Sequence, residues 1–226
     1  MNKIVLIPSY EPDDKLIKLV SNIKELTIIV VNDGSSEKYN KIYDEVKKYA
    51  HVISYKENQG KGYALKQGFK YIKYNYKNYI VVTMDSDGQH TISDALKLID
   101  YVSKHKNVLC LGKRTWDKTT PLRSRIGNTL TRFIFKKTTK LDIYDTQTGL
   151  RAFSNELIDY MLSIKGNRYE YEMNMLLNLK NNNIEYKEID IKTIYIDNNS
   201  MSHYSTFKDS LLIYKTIKKW KKEYKK

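Results

Sequence analysis

A single cysteine in 226 residues excludes an internal disulfide framework. That residue, Cys110, lies in the apolar run Val108–Leu111, where a buried, inert thiol is the ordinary case. One cysteine and four scattered histidines also exclude a closed structural zinc site. No stretch reaches the ~18 consecutive apolar residues of a membrane-spanning helix. Met1-Asn2-Lys3 leads into an apolar segment too short for a signal-peptide core, and no small-residue cleavage pattern follows, so a cytoplasmic location is expected. Neither an internal repeat nor a low-complexity linker interrupts the chain before its lysine-rich end. An apolar content of 41% with 12% aromatics argues against global disorder, and the length suits one well-cored domain.

Acidic residues are scarce beside basic ones, 26 Asp+Glu against 40 Lys+Arg, for a formal charge of +14. Such a field attracts nucleic acid, anionic lipid or phosphorylated substrates, although abundant Lys, Asn, Ile and Tyr also fit the compositional bias of an AT-rich genome. The aromatics form no RNP-like or helix-turn-helix arrangement, which places nucleic acid last. Six of the last nine residues are lysines, interleaved with Trp220 and Tyr224. With Phe207, Leu211, Leu212, Tyr214 and Ile217 they describe a helix apolar on one side and basic on the other. Such a helix suits an anionic membrane surface, and a solvated terminal helix fits equally well. The expected division is a domain over 1–213 and a basic amphipathic tail over 214–226.

The first half alternates strand-like and helix-like segments, the signature of βαβ units and an α/β fold with helices on both faces of a mostly parallel sheet. Strands are predicted at 3–7, 27–31, 51–55, 79–84, 108–112 and 189–196. Helices are predicted at about 13–24, 38–49, 63–75, 93–104 and 171–181. Ser9-Tyr10-Glu11-Pro12, Asp33-Gly34-Ser35, Asn58-Gln59-Gly60-Lys61-Gly62 and Asp85-Ser86-Asp87 each follow a strand and precede a helix. All four would then line one sheet edge, where ligands of open α/β sheets bind. Asp85-Ser86-Asp87-Gly88-Gln89 alone reads more readily as a turn. As the last of four clusters on one edge, it reads as a metal-assisted nucleotide site, since carboxylates are hard ligands for Mg²⁺ or Mn²⁺.

These clusters carry a resemblance. The chain resembles family-2 inverting glycosyltransferases of the GT-A fold, and within them the polyprenyl- and dolichyl-phosphate sugar synthases. The matching segments are IPSYEP (Ile7–Pro12), VVNDGSS (Val30–Ser36), NQGKGYAL (Asn58–Leu65), MDSDGQH (Met84–His90), GKR (Gly112–Arg114) and DTQTGLRAF (Asp145–Phe153). The resemblance implies a single GT-A domain and a UDP- or GDP-hexose donor. Pro8, Tyr10, Glu11, Asp33 and Gly34 would hold the nucleotide, with Lys61 either adding a positive charge or facing solvent. Asp85 would contact the donor, while Asp87 and Gln89 would hold Mg²⁺ or Mn²⁺ against its diphosphate. Arg114, Arg123, Ser124 and Arg125 are candidates for an acceptor phosphate, each also readable as part of a basic surface loop.

A polyprenyl phosphate such as undecaprenyl phosphate, met at the inner membrane face, is already ionised and needs no strong base. A saccharide or protein hydroxyl would need one, with Asp145, Glu170 and Glu172 the candidates; Asp145 is equally readable as an anchor of the acceptor loop. Relatives often carry an arginine where this chain reads Asp197–Tyr204, and His203 is the available substitute. A non-catalytic nucleotide-binding partner of a membrane protein is the alternative outside catalysis.

Overall fold

Ile4–Ser9 are six consecutive buried residues, as a strand with both faces covered requires. The structure, a computed structural model, describes residues 1–115, 122–192 and 206–224, the side chains of 122–126 and 206–210 excepted. Its strands are β1 (Asn2–Ser9), β2 (Thr27–Asp33), β3 (His51–Tyr55), β4 (Tyr79–Thr83), β5 (Val108–Arg114), β6 (Arg151–Ser154) and β7 (Glu185–Ile191). Its α-helices are α1 (Lys15–Asn22), α2 (Asn40–Val46), α3 (Lys61–Asn75), α4 (Ile92–Lys104), α5 (Leu122–Thr139), α6 (Ile158–Ser163), α7 (Glu170–Leu177) and α8 (Thr206–Tyr224).

The seven strands form one sheet in the order β3-β2-β1-β4-β6-β5-β7. Only β6 runs antiparallel to its neighbours, β4 and β5. Alternation along β1 sends Ile4 and Leu6 to one face and Val5 and Ile7 to the other, each into its own core. The first core packs against α3, α5, α6, α7 and α8, the second against α1, α2 and α4. This is the expected α/β architecture with helices on both faces. Cys110 sits in the second core, its thiol pushed up to about 12 by burial, in keeping with an inert side chain.

Three expectations shift. The basic stretch after Arg114 contains α5, not foreseen as a helix. Strand β7 begins four residues before the predicted Ile189, and residues 193–196 of that prediction lie outside the described residues. The boundary expected at residue 213 falls inside α8, which runs through it unbroken. Ile213 and Ile217 are buried in the first core, and Trp220 donates from Nε1 to Asn178 Oδ1 (3.3 Å). The apolar side of this helix is therefore engaged in the fold, leaving Leu211 and Tyr214 outward.

Candidate active site

Because β1, β2, β3 and β4 are parallel, their C-terminal ends share one sheet edge. The four polar clusters meet there around a cleft of about 340 Å³. Pro8, Tyr10, Asp33, Lys61, Asp85 and Asp87 line it. Glu11, Gly34 and Gln89 belong to the same loops without lining it. Glu11 donates its amide to Ser35 Oγ (2.8 Å), and Gly34 turns at φ 68° against the Glu57 backbone.

Asp33 ends β2 and faces the loop after β3. Its Oδ1 accepts from Tyr55 Oη (2.7 Å) and the Gln59 amide (2.9 Å). Its Oδ2 accepts from Asn58 Nδ2 (2.9 Å) and the Gly60 amide (2.8 Å). Four donors on one carboxylate fix the loop so that α3 starts inside the cleft. Asp33 is a loop anchor before it is a nucleotide ligand.

Lys61, the first residue of α3, stands between two carboxylates, with Nζ 2.7 Å from Asp85 Oδ1 and 3.0 Å from Glu172 Oε2. Burial alone would lower its pKa, but Asp85 and Glu172 outweigh that and hold it above the usual lysine value. Burial likewise works against ionised Asp85, yet Lys61 and His90 keep its carboxyl well below the usual carboxylate range. His90 Nε2 lies 3.5 Å from Asp85 Oδ2. Asp87 is opposite in character: burial and the neighbouring Asp85 charge push it up. Its Oδ1 accepts the Gln89 amide (3.0 Å), and it forms no ion pair with a described residue. Two neighbouring carboxylates thus differ, one paired with Lys61 and one without an ion pair among the described residues.

Gly149 backs this arrangement. A Cβ there would collide with the Asp85 carboxylate, and its carbonyl accepts from Thr83 Oγ1 (2.8 Å) at the end of β4. Gly149→Ala should therefore displace Asp85 from Lys61 and His90. Activity is expected to fall at least about tenfold, in line with small misplacements of reacting groups, while circular dichroism stays native. Wild-type turnover in that variant would show that the contact is dispensable.

Arg114 and Asp145, expected in separate roles, form one bidentate ion pair: Nε to Oδ2 is 2.7 Å and Nη2 to Oδ1 is 3.1 Å. Asp145 is 1% exposed, also accepts the Gln147 amide (3.2 Å), and does not line the cleft. A general base must reach its proton; this carboxylate is instead taken up by Arg114 and the Gln147 amide. Glu188 of β7 accepts the Tyr144 and Asp145 amides. Glu172, the other expected base, is paired with Lys61 and lies 4.0 Å from Arg151 Nε. Glu170 accepts the Asn167 and Arg168 amides. Arg123, Ser124 and Arg125 fall in the first turn of α5 with side chains not described, and His203 lies outside the described residues.

Sequence reasoning missed Arg151, His90 and Arg168. Arg151 is 1% exposed and donates to the Thr148 and Glu172 carbonyls (both 2.9 Å). An arginine within the apolar Leu150–Phe153 run was the signal, because a buried charge must be paired. His90 sits in the quoted MDSDGQH segment, and Arg168 follows Gly166-Asn167 at the entry to α7, where a turn could bring it back over the sheet edge.

The mostly parallel sheet with one antiparallel strand, and a cleft at its C-terminal edge, is an α/β fold of GT-A type. The family model described as Glycosyl transferase family 2 matches residues 4–162, and the chain belongs to that family. It is 29% identical over 216 residues to UDP-N-acetylglucosamine--dolichyl-phosphate N-acetylglucosaminyltransferase of Methanococcus voltae, covering 85% of this chain and 86% of that protein. It is 25% identical over 207 residues to polyprenol monophosphomannose synthase of Mycolicibacterium smegmatis, covering 83% and 76%. The crystal structure of mannosyl-3-phosphoglycerate synthase from Rubrobacter xylanophilus shares the fold with a TM-score of 0.69 at 14% identity, covering 99% of this chain and 75% of that one.

Proposed function

We propose that this glycosyltransferase moves a hexose from a UDP- or GDP-sugar to a polyprenyl phosphate, with inversion and with the aid of Mg²⁺ or Mn²⁺, at the inner membrane face. The observation that carries the acceptor class is that each candidate base already has a carboxylate oxygen engaged, Glu170 through Oε1 alone. Asp145 is held by Arg114, Glu172 and Asp85 by Lys61, and Glu170 by backbone amides. A hydroxyl acceptor would need a carboxylate base, whereas an ionised phosphate oxygen attacks without one. The names of the Methanococcus and Mycolicibacterium relatives point the same way.

Asp87 suits a divalent ion, with Gln89 beside it in the loop: Asp87 lines the cleft and forms no ion pair with a described residue, and Mg²⁺ is usually bound by one or two protein groups plus substrate phosphates. When bound, such an ion supplies Lewis-acid stabilisation of the departing diphosphate. The protein's own part is to keep Asp85 ionised through Lys61 and His90, and to shape the nucleotide cleft through Asp33.

Among the described residues no helix is long and apolar enough to cross a membrane. Peripheral attachment is supported by exposed Leu130 and Phe133 on α5 and Leu211 and Tyr214 on the adjoining α8, with Lys136, Lys137, Lys221 and Lys222 in the last turns. The test is incubation with a UDP- and GDP-sugar panel, Mn²⁺ or Mg²⁺, and undecaprenyl phosphate in anionic vesicles. Glycolipid should form, and the protein should sediment with those vesicles. Transfer only to a saccharide or protein hydroxyl would overturn the acceptor assignment, and metal-dependent nucleotide binding without transfer or donor hydrolysis would favour a non-catalytic partner.

A further inference from the structure

We propose that Arg168, on the loop before α7, is a ligand of the donor's diphosphate; the inference rests on the donor-site reading of the cleft. Arg168 lines that cleft together with Asp85 and Asp87, although it lies far along the chain from the Met84–His90 loop. The loop that carries it is firmly placed. Glu170 Oε1 accepts the Asn167 amide (3.0 Å) and the Arg168 amide (3.3 Å). The Asn167 carbonyl accepts the Tyr63 amide (2.9 Å), and Asn167 Oδ1 accepts from Lys66 Nζ (2.9 Å), which ties the loop to the first turns of α3. Gly60 lies under the arginine stem; a Cβ there would stand 2.6 Å from Arg168 Cγ.

The guanidinium itself is exposed and forms no ion pair with a described residue. Charge balance gives that fact its meaning. The charged residues lining the cleft are Asp33, Asp85 and Asp87 against Lys61 and Arg168. Asp33 is satisfied by four donors, and Lys61 is committed to Asp85 and Glu172. Arg168 is therefore the cation on this wall left for an entering anion. A planar fork of N–H donors matches phosphate oxygens bidentately. The need grows during transfer. As the acceptor oxygen bonds to the anomeric carbon, the bond from that carbon to the β-phosphate oxygen breaks. Its electron pair stays on that oxygen, and the nucleoside diphosphate leaves with a further negative charge.

The experiment titrates the full chain with Mg²⁺ and UDP, UMP or uridine, and with the guanine counterparts, in the wild type, Arg168→Met and Arg168→Lys. The side chain is exposed, so both variants should melt with the wild type. For the base that binds, Arg168→Met should weaken the diphosphate and monophosphate at least about tenfold, the scale of a hydrogen-bonded charge. Nucleoside binding, measured by competition, should be unchanged and Arg168→Lys intermediate. Equal loss for the nucleoside would assign Arg168 to the base and overturn the proposal. Unchanged diphosphate affinity would overturn it while leaving the donor site standing. A wild-type protein that binds no nucleotide would overturn the donor-site reading as well.

Discussion

Asp87→Ala is expected to lower turnover at least about a thousandfold while leaving the protein folded. The carboxylate faces the cleft and is held by one backbone amide, so its removal disturbs little packing. Burial and the Asp85 charge raise its pKa, meaning that it binds a proton more tightly in the folded than in the unfolded chain. The sign of the stability effect follows. Ionising Asp87 costs folding free energy as pH rises from the unfolded carboxylate value through the raised folded one. A neutral side chain removes that cost, so the melting temperature of Asp87→Asn at pH 7 without metal should equal or exceed that of the wild type. Mn²⁺ together with nucleoside diphosphate should raise the melting temperature of the wild type, because a ligand of the folded state stabilises it, and should not raise that of the variant. Calorimetry of metal-dependent donor binding completes the test. An Asp87→Ala enzyme with metal-stimulated transfer would sink the assignment.

The cleft edge was legible in the sequence because parallel strands point their C-terminal ends the same way. Four polar clusters in strand-to-helix position had to converge, and Pro8, Tyr10, Asp33, Asp85 and Asp87 do line one cleft. The polar partners were not legible. Periodicity says which face of a helix is buried, but not that Lys61 of α3 meets Glu172 of α7, or that Arg114 takes Asp145. Helix α5 escaped because its apolar residues do not share one side: Phe135 is buried while Leu130 and Phe133 point outward. Strand β7 was read late because it pairs only with β5, and its first half, Glu185–Glu188, is polar for an edge. Within that half Glu188 turns to the Tyr144 and Asp145 amides, a tertiary use that alternation does not reveal. The C-terminal helix was recognised as amphipathic, but amphipathicity alone does not distinguish a bilayer from α7 as the surface it meets.

Lys61→Met should be the most destabilising of these substitutions. The ammonium is buried between Asp85 and Glu172, and removing one partner of a buried ion pair costs about 3–5 kcal/mol, because charge is left uncompensated. For a chain of this size that corresponds to roughly 6–20 °C in melting temperature. The pH dependence should change sign as well. In the wild type, the Asp85 pKa lies below its unfolded value, so its contribution is present above the ordinary carboxylate range and is lost as pH falls through the depressed value. Lys61, with its pKa raised, contributes below the ordinary lysine value and loses that contribution as pH rises through the folded one. Between those ranges the wild-type contribution is flat. Without the ammonium, Asp85 keeps only His90 and Glu172 only its 4.0 Å contact with Arg151, so burial and the mutual repulsion of the two carboxylates push both toward the protonated form, and stability should fall as pH rises from about 5 to 7. Adding Glu172→Gln removes one of the stranded charges and should restore part of the loss. The double variant would then be more stable than Lys61→Met alone, the non-additivity expected of residues in contact. Thermal melts of the three variants and the wild type at pH 5 and 7 decide it. A Lys61→Met protein that melts with the wild type at both pH values would show that the ammonium carries no such load.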